Sequence, residues 1–473
     1  MRRGIRLTQG PLPPAHAIHR NSERVDMSQS ATIPVAPGAV PLLGHLPRLA
    51  RNPLRYLDTL AEHGGLLTLR LGLKKMVVVC DPLLTHQVLV ADDVFDKGGP
   101  FFEAAEKLMP TAMGFAPHAR HRRLRKLMQP SFTRGRLSGY GEIMTEEITT
   151  AMAGWHDGQE LDVVKELMAV TGRVLTATIF SSSVSEQTLG EIVTDSYELT
   201  RGLLVDTALP APFGWLTPGY GRYRRAVARL RETTLRLIGE RRAEGDAALG
   251  HGDLLSAFLA GDDEDGDAFS DSELVDQLSF MLVAGTETTA QTVSWVLYEL
   301  SRRPELQRAL QAEVDEVLGG RPVTYDDVPR LQVANRLLSE VLRYYSPSWL
   351  FTRVTTVDTE LGGHKIPAGT DVLYSPYIID RAPGIHEHAR SFDPERWQPE
   401  RAACMHREGY IPFGTGARKC IGDQFSLVES ALILATVAAK WQLEPVPGNK
   451  LRTSRKIVNT PGGLKLRAVA RKL

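Results

Sequence analysis

The sequence predicts a mainly α protein that carries small β-sheets, and three features point to that class. Ser270 and Glu273 form an S-x-x-E capping box ahead of a run that reads as helical to about Arg303. At about 1.5 Å per residue this helix is a rod of roughly 50 Å, long enough to cross the whole molecule. Residues 280–285, FMLVAG, are apolar on every side, so its middle is expected to be buried. The second feature is residues 413–422, FGTGARKCIG, a glycine-rich turn around a cysteine that leads directly into the helical segment 423–440. The third is that strand signals are short: residues 66–71 and 76–80 flank a turn at Gly72, and residues 361–375 alternate turn and strand residues.

At 473 residues, 42% hydrophobic and 24% charged, the chain has ample material for a buried core. No Pro/Gly/Ser linker or internal repeat cuts its middle, so residues 33–473 are expected to form one domain. Residues 1–32 read as a disordered extension, polar and without periodicity, with Met27 as an alternative start. Lys plus Arg equals Asp plus Glu at 56 each, so global charge argues for neither a nucleic acid nor an anionic membrane partner. The three cysteines, Cys80, Cys404 and Cys420, are too few for a disulfide scaffold and suit a reducing cytoplasm. No apolar run reaches the roughly 20 residues that span a bilayer, and the N-terminus lacks the apolar core of a signal peptide.

In chain order, residues 33–46 hold Pro34, Pro37 and Pro41 and favour an extended, wrapped segment. A short helix is expected over 53–63. Residues 97–117 read as a long loop rich in Gly and Pro, with Phe101, Phe102, Leu108, Met109, Met113 and Phe115 as its apolar content. The helix 119–128 places His121 and Arg125, four apart, on one face. Several helices fill 140–250, interrupted by a loop at 209–219, and the basic run 221–245 reads as a solvated helix. The acidic stretch 262–267 fails the EF-hand pattern, because Gly261 and Ser272 would fall at its first and twelfth ligand positions.

Two stretches carry chemistry. Around Cys420, the glycines 414, 416 and 422 let backbone approach a flat ligand and aim N–H groups at the sulfur, while the following helix N-terminus favours a thiolate. The competing reading is an inert thiol. In the long helix the run Ala284-Gly285-Thr286-Glu287-Thr288-Thr289 sets an acid and two adjacent threonines in a buried position, which is costly unless they are satisfied or used. The competing reading there is hydroxyls bonded back to carbonyls four residues earlier. Glu340 and Arg343, three apart, share a helix face.

Phe413, Gly416, Arg418, Cys420 and Gly422 fill every fixed position of F-x-x-G-x-R-x-C-x-G, and here the chain resembles the cytochrome P450 family of haem-thiolate monooxygenases. Ala284-Gly285-x-Glu287-Thr288-Thr289, Glu340-x-x-Arg343 and residues 392–397, FDPERW, match further motifs of that family in the expected order. The resemblance runs from about residue 33 to the end. It implies a single-domain fold, a triangular prism of helices around a buried haem b whose iron is axially ligated by Cys420. It implies that Phe413, Gly414, Arg418, Gly422, Ala284 and Gly285 lie against the haem and that His121, Arg125 and Arg353 hold its propionates. Thr288 would hydrogen-bond oxygen and Glu287 would feed protons through water. Many relatives carry Asp at position 287, which leaves the relay's geometry open. Glu340, Arg343 and Arg396 would form a structural triad.

For function the resemblance implies a monooxygenase that uses O2 and two electrons from an acidic ferredoxin with its NAD(P)H reductase. That partner is expected to dock over Arg122, Arg123, Lys126 and Lys419 of a monomer. Phe101, Phe102, Met113, Phe115, Val283, Trp349 and Leu350 are expected to line a pocket for a small lipophilic substrate. Around residues 362–377, GGHKIPAGTDVLYSPY, the chain resembles actinobacterial enzymes that oxidise sesquiterpenes. A polyketide or macrolide, a steroid and a fatty acid remain open as substrates. A haem-based sensor or ligand-binding protein is the reading from another class, and it would have no use for Glu287 and Thr288.

Overall fold

The computed structural model describes residues 32–181, 184–208, 219–261, 266, 268–455 and 458–472. The expected disordered extension, apart from residue 32, lies outside them, as do the loop at 209–218 and the acidic stretch 262–267 apart from Gly266.

The capping box opens the long helix as expected: the Ser270 hydroxyl accepts from Glu273 N, and Ser270 N donates to the Glu273 carboxylate. The helix runs Asp271–Arg302 and is packed by Val163–Phe180, Glu186–Ala208, Tyr220–Ala243, Gln332–Tyr345 and Asp423–Lys440. Enclosed by five helices, its apolar residues sit at the centre of the largest core cluster. Between Leu274 and Ser301 only Phe280, Val283, Ala284, Gly285, Thr288 and Tyr298 escape full burial. Phe280, Ala284 and Thr288 recur every four residues, so they form one accessible strip along the helix.

At the edge of the helical mass lies a five-stranded sheet in the order Leu66–Leu71, Lys74–Val79, Asp371–Tyr374, Phe351–Thr355, Phe95–Lys97. Lys74–Val79 runs parallel to Asp371–Tyr374, and the other neighbours are antiparallel. The proline-bearing entry segment wraps onto this sheet, with Ala36 N donating to Thr68 O at 3.0 Å. Gly44 is required where that segment meets the sheet. Its φ is +60°, and a Cβ there would stand 2.2 Å from the Arg70 carbonyl oxygen.

Three expectations change. The loop read over 97–117 contains the helix Pro100–Glu106, started by Pro100 in the first turn and by Gly99 at φ +95°. The helix expected over 53–63 divides into Pro53–Leu57 and a separate turn Leu60–Glu62. The basic helix, Tyr220–Ala243, is not solvated on all sides, because its apolar residues recur at helical spacing and bury Tyr223, Ala226, Leu230, Leu237 and Ile238. Arg241 is buried with them, held by Asp253 at 2.8 Å and the Phe180 carbonyl at 2.9 Å.

Candidate functional site

The cysteine loop is built as the glycine pattern demands. Gly414 and Gly416 have φ of +69° and +71°, and a Cβ on Gly416 would sit 2.6 Å from the Leu89 carbonyl oxygen. Cys420 N donates to Phe413 O at 2.9 Å, closing the loop, and Gly422 N–H is aimed at the Cys420 sulfur. Cys420 is exposed, unlike the buried Cys80. Desolvation by the surrounding protein nevertheless holds its thiol above the ordinary value, outweighing the Gly422 hydrogen bond and the charges of Arg125 and Lys419. A metal bound at this sulfur would ionise it outright.

Beside it lies a cluster of cations. Arg418 is buried, donates to the Ala116 carbonyl at 2.8 Å and pairs with Asp92 and Asp96. Arg125 donates to the Lys419 carbonyl and to Gln129. Burial, Arg418, Arg125 and Lys97 drive His121 down to about 3, so its imidazole is neutral, and its Nδ1 has no hydrogen-bond partner. Arg353 is buried with neither Nε nor Nη1 partnered. Lys97 is pushed well below its ordinary value by burial and by the charges of Arg353 and Arg418. Lys97, Arg353 and Arg418 thus lie together near Asp92 and Asp96, with Arg125 and His121 beside them. Unpartnered nitrogens of Arg353 and His121 among clustered basic side chains fit the two propionates of a haem, so His121, Arg125, Arg353, Arg418 and Lys97 would hold them.

Sequence reading missed Lys97, because its strand lies far from every motif and only the fold brings it to Arg353, its antiparallel partner. Arg353→Met is expected to speed haem transfer to apomyoglobin about tenfold to a hundredfold, the loss of a charged hydrogen bond worth about 1.5–3 kcal/mol. Haem retention equal to the wild type would remove Arg353 from the cradle.

On the long helix, Thr288 is half-buried on the accessible strip, and its hydroxyl donates to the Ala284 carbonyl at 2.8 Å. With its proton committed there, Oγ1 offers lone pairs, so toward a water or oxygen species it acts as an acceptor. Glu287 is buried beside it. Gly285 departs from expectation. A Cβ there would lie 2.8 Å from the Leu175 side chain, so its smallness serves close packing with Val163–Phe180, and Ala284 is the small residue on the strip. Thr289 faces the cysteine helix, meeting Ser426 Oγ at 3.1 Å. Behind them Glu429 is buried, and desolvation raises it well above the carboxylate range, offset only in part by the Thr289 hydroxyl.

Glu429 is therefore a carboxyl group that holds its proton more tightly than usual, beside the residue that follows Thr288. Its sequence signal was a lone acid within the apolar run of 428–439. Because its folded pKa lies above the unfolded value of about 4.3, stability from its protonated form is lost as pH rises above that value. Glu429→Gln should therefore gain thermal stability on the wild type as pH rises above about 4.3. A pH-independent difference in melting temperature would contradict this.

The structure assembles Glu340, Arg343 and Arg396. The Glu340 carboxylate receives Arg343 Nη2 at 2.7 Å and Nε at 2.8 Å, Trp397 Nε1 at 3.0 Å and Asp393 N at 2.8 Å, with Arg396 Nε at 3.6 Å. Arg343 reaches on to the Ala389 and Ser391 carbonyls. Phe101, Phe102 and Phe115 form mutual edge-on ring contacts, and Phe115 meets Phe280 on the strip with centroids 5.1 Å apart. Met113 is buried, whereas Val283 and Leu350 are partly exposed. Trp349 is a correction: it packs in a separate core with Leu54, Tyr56, Leu57 and Leu67, behind the five-stranded sheet. Trp349 is buried and its neighbour Leu350 is 36% exposed, so the two diverge. Of the expected docking cations, Arg123 pairs with Glu273 at 2.7 Å, Lys419 with Asp423 at 2.5 Å and Arg122 with Asp92 at 3.5 Å, and Arg122 and Lys419 keep about half of their side chains exposed.

Among the described residues no helix is long and apolar enough to cross a membrane. The cytochrome P450 family profile matches residues 34–468. Cyclooctatin synthase of Streptomyces melanosporofaciens is 42% identical over 443 residues, covering 91% of this chain and 94% of its own length. Pentalenene oxygenase of Streptomyces avermitilis is 40% identical over 439 residues, covering 92% and 97%. The crystal structure of the cytochrome P450DA heme domain superposes with a TM-score of 0.85 at 27% identity, covering 93% of this chain and 98% of that one. Motifs, fold and relatives converge: the chain belongs to the cytochrome P450 family and is a monooxygenase whose haem iron takes a cysteine thiolate ligand.

Proposed function

We propose that this monooxygenase inserts oxygen into a C–H bond of a polycyclic terpene. The observation that carries this reading is the aromatic wall of Phe101, Phe102, Phe115 and Phe280 beside Ala284 and Thr288. A rigid hydrocarbon offers no hydrogen-bonding group, so shape and apolar area must orient it. The names of two relatives, cyclooctatin synthase and pentalenene oxygenase, support the same class. Haem supplies oxygen activation when bound, with Cys420 as its ligand. Glu287 would pass protons through water to the site, where Thr288 Oγ1 orders that water as an acceptor.

The test is titration of the ferric protein with pentalenene, a fatty acid and a macrolide while the Soret band is followed. Saturable conversion from low to high spin by the terpene alone supports the reading. Conversion by the fatty acid or macrolide alone overturns it, as does a loaded protein that none of the three shifts.

Electrons are proposed to reach the monomer one at a time from an acidic ferredoxin served by an NAD(P)H reductase. The supporting surface is Arg122 and Lys419, whose side chains stay 59% and 48% exposed beside their partners Asp92 and Asp423. Raising ionic strength should slow first-electron transfer, because a Debye length of about 8 Å at physiological salt already screens exposed charges. Rates indifferent to salt would remove this docking surface.

A further inference from the structure

The segment carrying Met113 and Phe115 is tied to the long helix by two adjacent side chains that no motif marks. Asp276 is fully buried, and its Oδ2 accepts from Thr111 N at 2.9 Å and from Thr111 Oγ1 at 2.7 Å. Its other oxygen pairs with Arg231 of the helix Tyr220–Ala243. Gln277, also buried, accepts from Met113 N at 2.7 Å and donates to the Thr111 carbonyl at 2.6 Å. Thr111 and Met113 thus have their backbone groups bound by side chains about 165 residues away in the chain.

One turn further along the same helix stands Phe280, against which Phe115 packs. Gly114 intervenes, and a Cβ there would stand 2.3 Å from the Phe280 ring, so the wall tolerates little displacement of this segment. We propose that Asp276 and Gln277 are positioning residues that lock residues 111–113 onto the long helix, fix the aromatic wall and thereby set which bulky ligands the pocket accepts. The proposal rests on the reading of that wall as the substrate pocket. Arg231 makes the lock three-sided, tying the helix Tyr220–Ala243 to the same carboxylate.

The chemistry predicts which conservative changes fail. Asp276 serves donors on both oxygens, so the amide of Asp276→Asn must turn an N–H group toward either Thr111 or Arg231. In Gln277→Glu, an acceptor oxygen replaces the donor that faces the Thr111 carbonyl. Both variants keep side-chain volume.

The test uses the haem-loaded protein and needs no natural substrate. Hydrogen exchange at the Thr111 and Met113 amides is expected to accelerate at least tenfold in both variants, while exchange in the cysteine helix stays as in the wild type. Affinity for 4-phenylimidazole, read from the Soret shift, is expected to change about tenfold relative to that for imidazole, which is too small to touch the wall. Unchanged exchange at both amides overturns the lock. Acceleration throughout the molecule reduces the pair to general stability and overturns it as well. Local acceleration with an unchanged ratio of the two affinities overturns the control of specificity. If terpenes fail to shift the Soret band while these results hold, the substrate class is wrong and the lock stands.

Discussion

Alanine in place of Glu340 is expected to abolish accumulation of folded, haem-loaded protein. The Glu340 carboxylate is fully buried and is met by two Arg343 nitrogens, the Trp397 indole and the Asp393 amide. Its removal strands the fully buried Arg343 guanidinium against a low-dielectric interior. Breaking a buried pair of this kind costs about 3–5 kcal/mol, a large share of the roughly 5–15 kcal/mol that holds a domain together. Glu340→Gln should fail in the same direction, because one carboxamide oxygen cannot serve donors on both sides and its N–H group faces another donor. The loss should spread to residues 389–397, which Glu340 and Arg343 organise, and from there to haem retention. Measured by denaturant unfolding and by Soret absorbance per mole of protein, wild-type values in Glu340→Ala would show that the triad has no structural role.

Alanine in place of Thr288 is expected to leave the fold and the haem intact while reducing equivalents escape as hydrogen peroxide. The hydroxyl's bond to Ala284 O supplements a helical carbonyl, so losing it costs only about 1 kcal/mol. Proton delivery is another matter. Without Oγ1 nothing on the strip at that position accepts from an ordered water, and general acid catalysis of this kind contributes about 10²–10⁴-fold. NADPH consumption should continue with an external ferredoxin and reductase, product should fall and peroxide should rise. Tightly coupled turnover in Thr288→Ala would remove Thr288 from the relay. Thr288→Ser, which retains a hydroxyl able to bond Ala284 O, should restore much of the coupling.

The legible parts of this protein were those whose geometry is local. A capping box, a glycine-rich turn and an i, i+3 pair are defined within one turn of chain, so Ser270, Cys420 and the Glu340–Arg343 pair could be placed from spacing alone. The accessible strip did not follow from that logic: residues 280–285 read as buried on every side, yet Phe280, Val283, Ala284 and Gly285 escape full burial. Gly285 lies one residue away from Ala284, and spacing could not tell that its missing side chain accommodates Leu175.

Tertiary structure decided everything that depends on summing over distant neighbours. Trp349 and Leu350 are adjacent, yet only the five-stranded sheet determines that Trp349 joins the core behind it. The pairing of Lys97 with Arg353 across two strands makes the basic pocket, and Asp92 and Asp96 hold its Arg418. Glu429 is held above the ordinary carboxylate range because burial by packed helices removes the water that would solvate its charge. Asp276 and Gln277 belong to no sequence motif, and the fold brings Thr111 and Met113 to them. Backbone spacing is a property of a few consecutive residues and survives in the sequence. Desolvation and charge balance are set by whatever side chains surround a group, and those neighbours are known only once the chain has folded.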